Sequence, residues 1–310
     1  MYGWKSMNLA FCLWICLQRK HNVCVMFHEV AFPFRGCRRP RHLLLPIVHR
    51  LMAWAILRSV RHSFTSTEPY MTLLQSLGNA RTPLSMLRIC SNVPSESYQS
   101  NDATPAKAEN PDGLFTVGIF SNFGSELREH LTPVLGAVLG NPRIGVALLG
   151  PGEAFRQSLA KQYPQAADRI RCTGRLHVTE VARHMRSCDA LLQVYPEGAS
   201  AARGTLIGAL ASGIPVVTTS GPGTDRLLLD SKTLLISESS PQSIRKTLEL
   251  LMANPEKAQE LGAAAQRLYL ESFQPAVIVT RLRDVVSDLE TAEEVVNYQA
   301  VVPGRVQSGL

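Results

Sequence analysis

A loop in the second half of the chain carries the residues best suited to bind an anion. Glu197, Ser200 and Arg203 stand close together, and Gly204 and Thr205 follow where a helix is predicted to begin. The start of a helix presents free N–H groups and the positive end of its dipole. An arginine adds a guanidinium that can form two parallel hydrogen bonds to phosphate oxygens. The spacing therefore predicts a binding site for an anion such as a diphosphate.

A purely structural interpretation of the same loop stays open. Ser200 could do no more than cap the helix, and the guanidinium of Arg203 could simply be solvated. Small residues would let a ligand approach the backbone closely, but they do not decide between the two interpretations. These small residues are Ala199, Ser200, Ala201 and Gly204.

The segments around this loop predict a strand, a helix and a second strand. Residues 190–194 are an apolar run of the length of a buried strand, and residues 205–211 form an apolar helix. Gly213 ends that helix, with Pro215 two residues later. Residues 216–219 are β-branched and predict the next strand. The loop is therefore expected at the end of a strand in an α/β protein.

Alternating strands and helices continue on both sides. Strands are predicted at 114–120, 144–149, about 170–176 and 234–237, with helices at 126–139, 178–188, 241–252, 255–270 and 275–289. In the first third, strands are predicted at 23–27, 62–67 and 87–90, helices at 43–61 and 68–77, and a buried helix at 7–17. The alternation predicts two doubly wound parallel sheets.

The domain organisation follows from this order. We expect a partial first domain at 1–94 and a linker at 95–112, which is rich in Ser, Asn, Pro and charge. A second domain is expected at 113–275, with a helix at 276–300 that packs back toward the first domain and a tail at 301–310.

Three segments together resemble the donor-binding core of glycosyltransferase family 4. They are Glu197-Gly198, Leu-Ala-Ser-Gly-Ile-Pro-Val-Val at 210–217, and Gly-Pro-Gly-Thr-Asp at 221–225. The resemblance implies the GT-B fold, in which two Rossmann-like domains enclose the active site, and a C-terminal domain of the glycosyl transferases group 1 type. It also implies that the first half of the N-terminal domain, about 80 residues by usual domain size, is missing, so that the first domain is truncated and incomplete.

The resemblance also implies roles for individual residues. His28, at the end of a strand in a Phe-His-Glu segment, would lie against the sugar, and Glu197 would bind the donor hydroxyls; these two are the catalytic candidates. Gly124 and Gly150 end the first two strands of the donor domain, and Leu176 would pack on the nucleotide base. The remaining donor-binding candidates are Ser200, Arg203, Gly204, Thr205 and Asp225, the last of which could equally cap a helix.

The sequence departs from the family pattern at two places. The two glutamates of the family signature fall on Ser200 and Gly208, neither of which is acidic, so recognition of the ribose is the function most affected. The basic phosphate ligands that follow the first donor-domain strand are replaced by Ser-Asn-Phe-Gly at 121–124. Arg203 is the candidate replacement.

Charge and cysteine usage bear on partners and location. Residues 1–110 carry 13 Lys and Arg against five Asp and Glu, whereas the rest of the chain carries 19 against 20. The excess predicts an anionic acceptor or an anionic membrane surface at the first domain, with a solvated basic face as the alternative. The arginines at 35, 38, 39 and 41 belong to this excess. The seven cysteines show no zinc spacing and fit a reducing cytoplasm.

The resemblance to family 4 implies transfer of a sugar from a nucleoside diphosphate donor to a glycan, lipid or small-molecule acceptor, with retention of configuration. No metal, no other cofactor and no nucleic acid partner are expected. The alternative is a non-catalytic binding module or a degenerate fragment of such an enzyme. A nicotinamide enzyme is a third interpretation, and the lack of a Gly-x-Gly-x-x-Gly segment argues against it.

Overall fold

The computed structural model describes residues 9–18, 23–31, 40–78, 83–93 and 113–301. The linker expected at 95–112, the tail beyond 301 and the arginines at 35, 38 and 39 lie outside these ranges.

The first part of the chain forms a small parallel sheet in which helices alternate with strands. The strand order is β1-β2-β3. The elements are α1 Leu9–Leu17, β1 Cys24–Phe27, α2 Pro40–Leu57, β2 His62–Thr65, α3 Glu68–Leu77 and β3 Leu84–Met86. All four residues of β2 are buried, as expected for a strand with neighbours on both sides.

Two predictions for this part are wrong. The strand expected at 87–90 is not formed; β3 ends at Met86, and the chain then leaves the sheet. The physical reason is the register: β2 ends at Thr65, which pairs with Met86, so the ladder does not continue past Leu87, whose N–H donates to Thr65 O at 2.9 Å. The second wrong prediction is the burial of the helix at 7–17. The helix forms as α1, but only Cys12 and Ile15 are buried in it, and most of its other large apolar side chains are exposed.

The second part forms a six-stranded, fully parallel sheet. Its strands are β4 Phe115–Phe120, β5 Ile144–Leu149, β6 Ile170–Cys172, β7 Ala190–Gln193, β8 Val216–Thr219 and β9 Leu235–Ser237. Its helices are α4 Ser125–Leu139, α5 Glu153–Gln162, α6 Val178–Arg186, α7 Gly204–Ala211, α8 Arg226–Asp230, α9 Pro241–Ala253, α10 Pro255–Ser272 and α11 Pro275–Val301, with a 3₁₀ turn at Pro164–Arg169. Most of the predicted boundaries fall within two residues of these.

The strand order of the second sheet is β6-β5-β4-β7-β8-β9. The chain moves outward from β4 in one direction, then returns to β7 on the other side of β4 and moves outward again. Ligands of open parallel sheets bind beyond the carboxyl ends of the strands, where the order reverses. The crevice is therefore expected between the segment after β4, which contains Gly124, and the segment after β7, which contains Arg203.

Small residues allow tight packing behind this crevice. The four residues of β7 and the four of β8 are all buried, so these strands are covered on both faces. In α7, residues 206–211 are all buried. A Cβ added at Gly262 of α10 would collide with the carbonyl of Gly213 just beyond α7, so the two helices lie closer together than larger residues would permit.

The two parts contact each other through side chains as well as through residues 91–93. The guanidinium of Arg88 lies 5.6 Å from the ring centre of Phe273, at the end of α10. Arg61 donates a hydrogen bond of 3.5 Å to the carbonyl oxygen of Leu289 in α11. The last helix therefore touches the first part of the chain.

Candidate functional site

The loop between β7 and α7 is held in place by backbone hydrogen bonds to the segment after β8. Ala199 N–H donates to Thr219 O at 3.1 Å, and Gly223 N–H donates to Glu197 O at 2.8 Å. Gly198 has a φ of +88°, in the left-handed region that favours glycine. The loop is therefore rigidly anchored, and its backbone path depends on this glycine.

Arg203 lies at the N-terminus of α7, where the sequence predicted it. It is the N-cap residue, and no side-chain hydrogen bond from the described residues caps that position. Its guanidinium lies 5.2 Å from the ring centre of Tyr195, and the side chain is exposed. Ser200 accepts a hydrogen bond from Ala202 N–H at 3.2 Å, within its own loop rather than from α7. The helix start thus faces the crevice together with a cation.

A buried hydrogen-bond network links the crevice strands to α7. Tyr195 donates to Gln193 Oε1 at 2.9 Å, and its hydroxyl lies 2.8 Å from Thr205 Oγ1. Gln193 Nε2 in turn donates to Phe120 O at the end of β4, at 3.4 Å. Burial raises the pKa of Tyr195 to about 12. The hydroxyl of Thr205 is therefore part of this network, which holds the Tyr195 ring in place beneath the guanidinium of Arg203.

The two glycines expected at the donor turns differ in their surroundings. Gly124 has an ordinary φ of −60°, and a Cβ added there would meet no atom within 4 Å. Gly150 has a φ of +135°, and a Cβ there would collide with the carbonyl of Ser121. Gly150 is thus required by the fold itself, whereas Gly124 borders open space at the switch point.

Residues of the first part approach the beginning of α7. A Cβ added at Gly204 would lie 3.1 Å from Asn92 Nδ2, and one at Gly208 would lie 3.2 Å from Ser91 Oγ. Position 208, where the family pattern has its second glutamate, is therefore closely packed against residue 91. Leu176 follows β6 and is half-buried against the core of the second sheet.

Four polar side chains near the boundary between the two parts influence one another electrostatically. Glu197 and Arg203 come from the donor loop, Tyr70 from α3, and Glu29 from the segment after β1. Burial raises the pKa of Tyr70, and the carboxylates of Glu29 and Glu197 raise it further, while Arg203 opposes them. Burial also raises the pKa of Glu29, again opposed by the charge of Arg203. These groups form one electrostatic cluster.

The candidate His28 lies at the end of β1 with an exposed side chain, next to this cluster. The charge of Arg203 acts on Glu29, the residue that follows His28 in the sequence. The sequence analysis missed Glu29 and Tyr70 as site residues. Glu29 could have been found because it belongs to the same Phe-His-Glu segment, whereas nothing in the sequence singled out Tyr70.

Asp225 is buried, with an exposed fraction of 3%. One carboxylate oxygen accepts from Ala201 N–H at 2.5 Å, and the other accepts from Glu68 N–H at 3.1 Å. Burial raises its pKa, an effect that these two hydrogen bonds oppose. In this structure both oxygens of Asp225 are therefore used by backbone donors.

No group of His, Cys, Asp and Glu in the described ranges could hold a metal ion. Within the same ranges, no helix is long and apolar enough to cross a membrane.

A family model described as glycosyl transferase-like matches residues 128–284, just over half of the chain. The chain belongs to the glycosyl transferase-like family. The matched segment contains β5 to β9 and the whole loop from Tyr195 to Arg203. A comparison with curated proteins finds no match.

Solved structures similar to this member of the family show its fold. HepE from Anabaena, solved with UDP and glucose, is 15% identical with a TM-score of 0.65, covering 86% of this chain and 72% of its own. Sucrose-phosphate synthase from Thermosynechococcus elongatus is 15% identical with a TM-score of 0.67, covering 89% and 70%. A trehalose 6-phosphate synthase from Burkholderia multivorans is 12% identical with a TM-score of 0.67, covering 93% and 69%. The fold is therefore α/β and GT-B-like, with two Rossmann-type parallel sheets.

Proposed function

We propose that this protein is a glycosyltransferase of the family 4 type, which moves a hexose from a nucleoside diphosphate to an acceptor with retention of configuration. The observation that carries the proposal is the position of Arg203. It lies at the start of α7, which follows β7, and Gly124, beside which there is open space, follows β4; the strand order reverses between these two neighbouring strands. A helix N-terminus and a guanidinium that face a crevice suit a diphosphate.

Five of the candidate residues have direct roles in this proposal. The diphosphate binds between Arg203 and the backbone at Gly124, and the charge that develops as it leaves is stabilised by the same groups. No metal ion is required. Glu197 binds hydroxyl groups of the sugar, and Leu176 packs on the base. His28 lies on the acceptor side, together with Glu29 and Tyr70.

Support for a nucleotide-sugar donor also comes from the similar structures. HepE is described in complex with UDP, with UDP and glucose, and with UDP-glucose. UDP-glucose is therefore the first donor to test. One observation favours the alternative of a binding module without activity. Ser200 and Gly208 stand where the family has its two glutamates, and Ser91 leaves little room for a side chain at position 208.

The experiment measures binding and turnover separately on the full chain. Calorimetry with UDP, GDP, ADP and NAD should detect a nucleoside diphosphate and not NAD. UDP release from UDP-glucose is then followed with and without EDTA, and the anomeric configuration of the product is read by NMR. Release that persists in EDTA with an α-linked product supports the proposal. Binding without release supports the binding module, and binding of NAD alone would refute both.

We further propose a cytoplasmic protein that contacts anionic membranes through its first part. Large apolar side chains are exposed there on two adjoining helices, including Leu13 and Trp14 on α1 and Leu51 and Trp54 on α2. Arg58 lies 4.7 Å from the ring centre of Trp54, and Glu29 is the one acidic residue among the first 67. Exposed aromatic and basic groups together suit the surface of an anionic bilayer.

Vesicle sedimentation tests the membrane contact. Binding should be stronger to vesicles with phosphatidylglycerol than to phosphatidylcholine alone, and should weaken in high salt. Trp54→Ala should reduce it. The matched control is Leu250→Ala on α9, which removes an apolar side chain that is 64% exposed in the second part. Equal loss in both variants, or self-association of the chain in place of vesicle binding, would contradict the proposal.

A further inference from the structure

Two helices that begin at the boundary between the parts are joined by a pair of hydrogen bonds, each from the first amide of one helix to a carboxylate at the start of the other. Asp225 is the N-cap residue of α8, yet its side chain makes no capping hydrogen bond to that helix. Its Oδ1 instead accepts from Glu68 N–H, the first residue of α3, at 3.1 Å. Glu68 Oε2 in turn accepts from Arg226 N–H, the first residue of α8, at 3.2 Å. The first amide of each helix is thus hydrogen-bonded to a carboxylate from the other part of the chain, in α3 alongside the cap that Thr67 provides within its own helix.

These two hydrogen bonds connect directly to the candidate site on both sides. On the donor side, the second oxygen of Asp225 accepts from Ala201 N–H at 2.5 Å, two residues before Arg203. On the other side, Thr67 Oγ1 accepts from Tyr70 N–H at 3.4 Å, within the first turn of α3. The same turn of α3 therefore carries both the capped residue Glu68 and the site residue Tyr70.

Because Asp225 is buried, the hydrogen bonds to its carboxylate are costly to lose. A buried carboxylate must keep its hydrogen-bond donors, because an unsatisfied charge is expensive in the interior. Asp225 meets this requirement with one backbone donor from each part of the chain. The carboxylate of Glu68 nearby repels its charge, and the guanidinium of Arg88 opposes that repulsion. Separation of the two parts would remove Glu68 N–H from Asp225 and Glu68 from Arg226 at the same time.

We propose that Glu68 and Asp225 are positioning residues for the transfer reaction: their exchanged caps, the hydrogen bonds Glu68 N–H to Asp225 and Arg226 N–H to Glu68, hold the first turn of α3, which carries Tyr70, against the loop between β7 and α7, which carries Arg203. The kinetic part of this inference rests on the proposed function. The structural part does not, because it concerns the contact itself. Neither residue needs to touch the donor or the acceptor.

Glu68 is the better residue to change, because it is half-buried and its side chain accepts a hydrogen bond across the boundary, whereas loss of Asp225 also frees Ala201 N–H within the second part. Glu68→Ala removes the acceptor for Arg226 N–H. Glu68→Gln keeps an acceptor oxygen and should restore the contact. The matched control is Glu256→Ala, which removes an exposed glutamate from the first turn of α10, also beside a proline.

Hydrogen exchange on the full chain tests the structural part without any activity. In Glu68→Ala, amides of three segments should exchange about fivefold faster, which corresponds to a typical capping contribution. The segments are 226–229, 68–72 and 199–203, and only the first contains the amide that loses its partner. Acceleration confined to 226–229, or equal acceleration in Glu256→Ala, would overturn the inference.

The kinetic part is read from UDP-glucose turnover with the same variants. Glu68→Ala should lower kcat about fivefold or more while KM for the donor changes less than twofold, and Glu68→Gln should recover most of kcat. A rise in KM that matches the fall in kcat would overturn a positioning role. If wild-type protein shows no turnover, the proposed function fails, whereas the exchange result still decides whether the caps join α3 to the donor loop.

Discussion

Replacing Arg203 by alanine removes the one guanidinium at the start of α7 without disturbing the protein core. A charge-assisted hydrogen bond contributes about 1.5–3 kcal/mol, so nucleotide affinity should fall roughly tenfold to a hundredfold. The surroundings favour the upper end of this range. Glu29 and Glu197 would remain beside the diphosphate, without the positive charge that opposes them.

The stability of the protein should change much less. Arg203 is exposed, and its contact with the Tyr195 ring is a cation–π interaction at 5.2 Å, which contributes about 0.5–1 kcal/mol at an exposed site. The free energy of unfolding should therefore fall by about 1 kcal/mol or less. The binding loss and the stability loss differ enough to be separated in one variant.

Calorimetry with UDP and urea denaturation, run on the same preparations, check this prediction. Arg203→Lys should recover only part of the affinity, because a point charge cannot form the two parallel hydrogen bonds of a guanidinium. The control is Arg143→Ala, an exposed arginine before β5, at the edge of the sheet opposite the crevice. If Arg203→Ala binds UDP within twofold of the wild type, Arg203 is not the phosphate ligand and the site assignment is wrong.

Three further predictions concern the same site. Gly124→Ala should leave the melting temperature unchanged, since the φ of Gly124 is −60° and a Cβ there would meet no atom within 4 Å. The same change should weaken UDP binding, because the new methyl group would stand where the diphosphate approaches the backbone. Unchanged UDP binding in calorimetry would exclude that approach. Gly198→Ala should lose about 1–3 kcal/mol of unfolding free energy in urea, because φ is +88° and the new Cβ would collide with Thr224 Oγ1; an unchanged midpoint would contradict this. Tyr195→Phe should lose about 1–3 kcal/mol at pH 8, because buried Gln193 loses a hydrogen-bond donor. The raised pKa of Tyr195, about 12, makes the wild type lose stability as pH rises from about 10 to about 12, since only the unfolded chain then releases the proton. Denaturation at pH 8 and pH 11 should show a smaller alkaline loss in Tyr195→Phe.

The second sheet could be predicted from sequence because its signals are local. Buried parallel strands appear as continuous apolar runs, and glycines and prolines mark where the intervening helices end. The position of Arg203 at the start of α7 followed from the same signals. The prediction for 87–90 failed because an apolar run indicates that a strand is near but not its register, and β2 ends opposite Met86.

Two features could not be predicted from the sequence: the exposure of α1 and the contact between α3 and α8 across the boundary. The apolar composition of α1 predicted burial, but composition does not say whether a partner surface is present, and much of α1 is exposed. Glu68 and Asp225 are ordinary helix-start residues in sequence. Their exchange depends on how two separately formed sheets meet, and no local pattern encodes that.

The exchanged caps also impose an order in time on the newly made chain. Glu68 emerges from the ribosome 157 residues before Asp225. At roughly 5–20 residues per second, about 8–30 seconds of synthesis separate the two. Throughout that interval the first turn of α3 lacks one of its acceptors, and the small sheet has no second core against which to place Val93. The amino-terminal part of this protein therefore completes its structure only after the carboxyl-terminal part has folded, although it is made first.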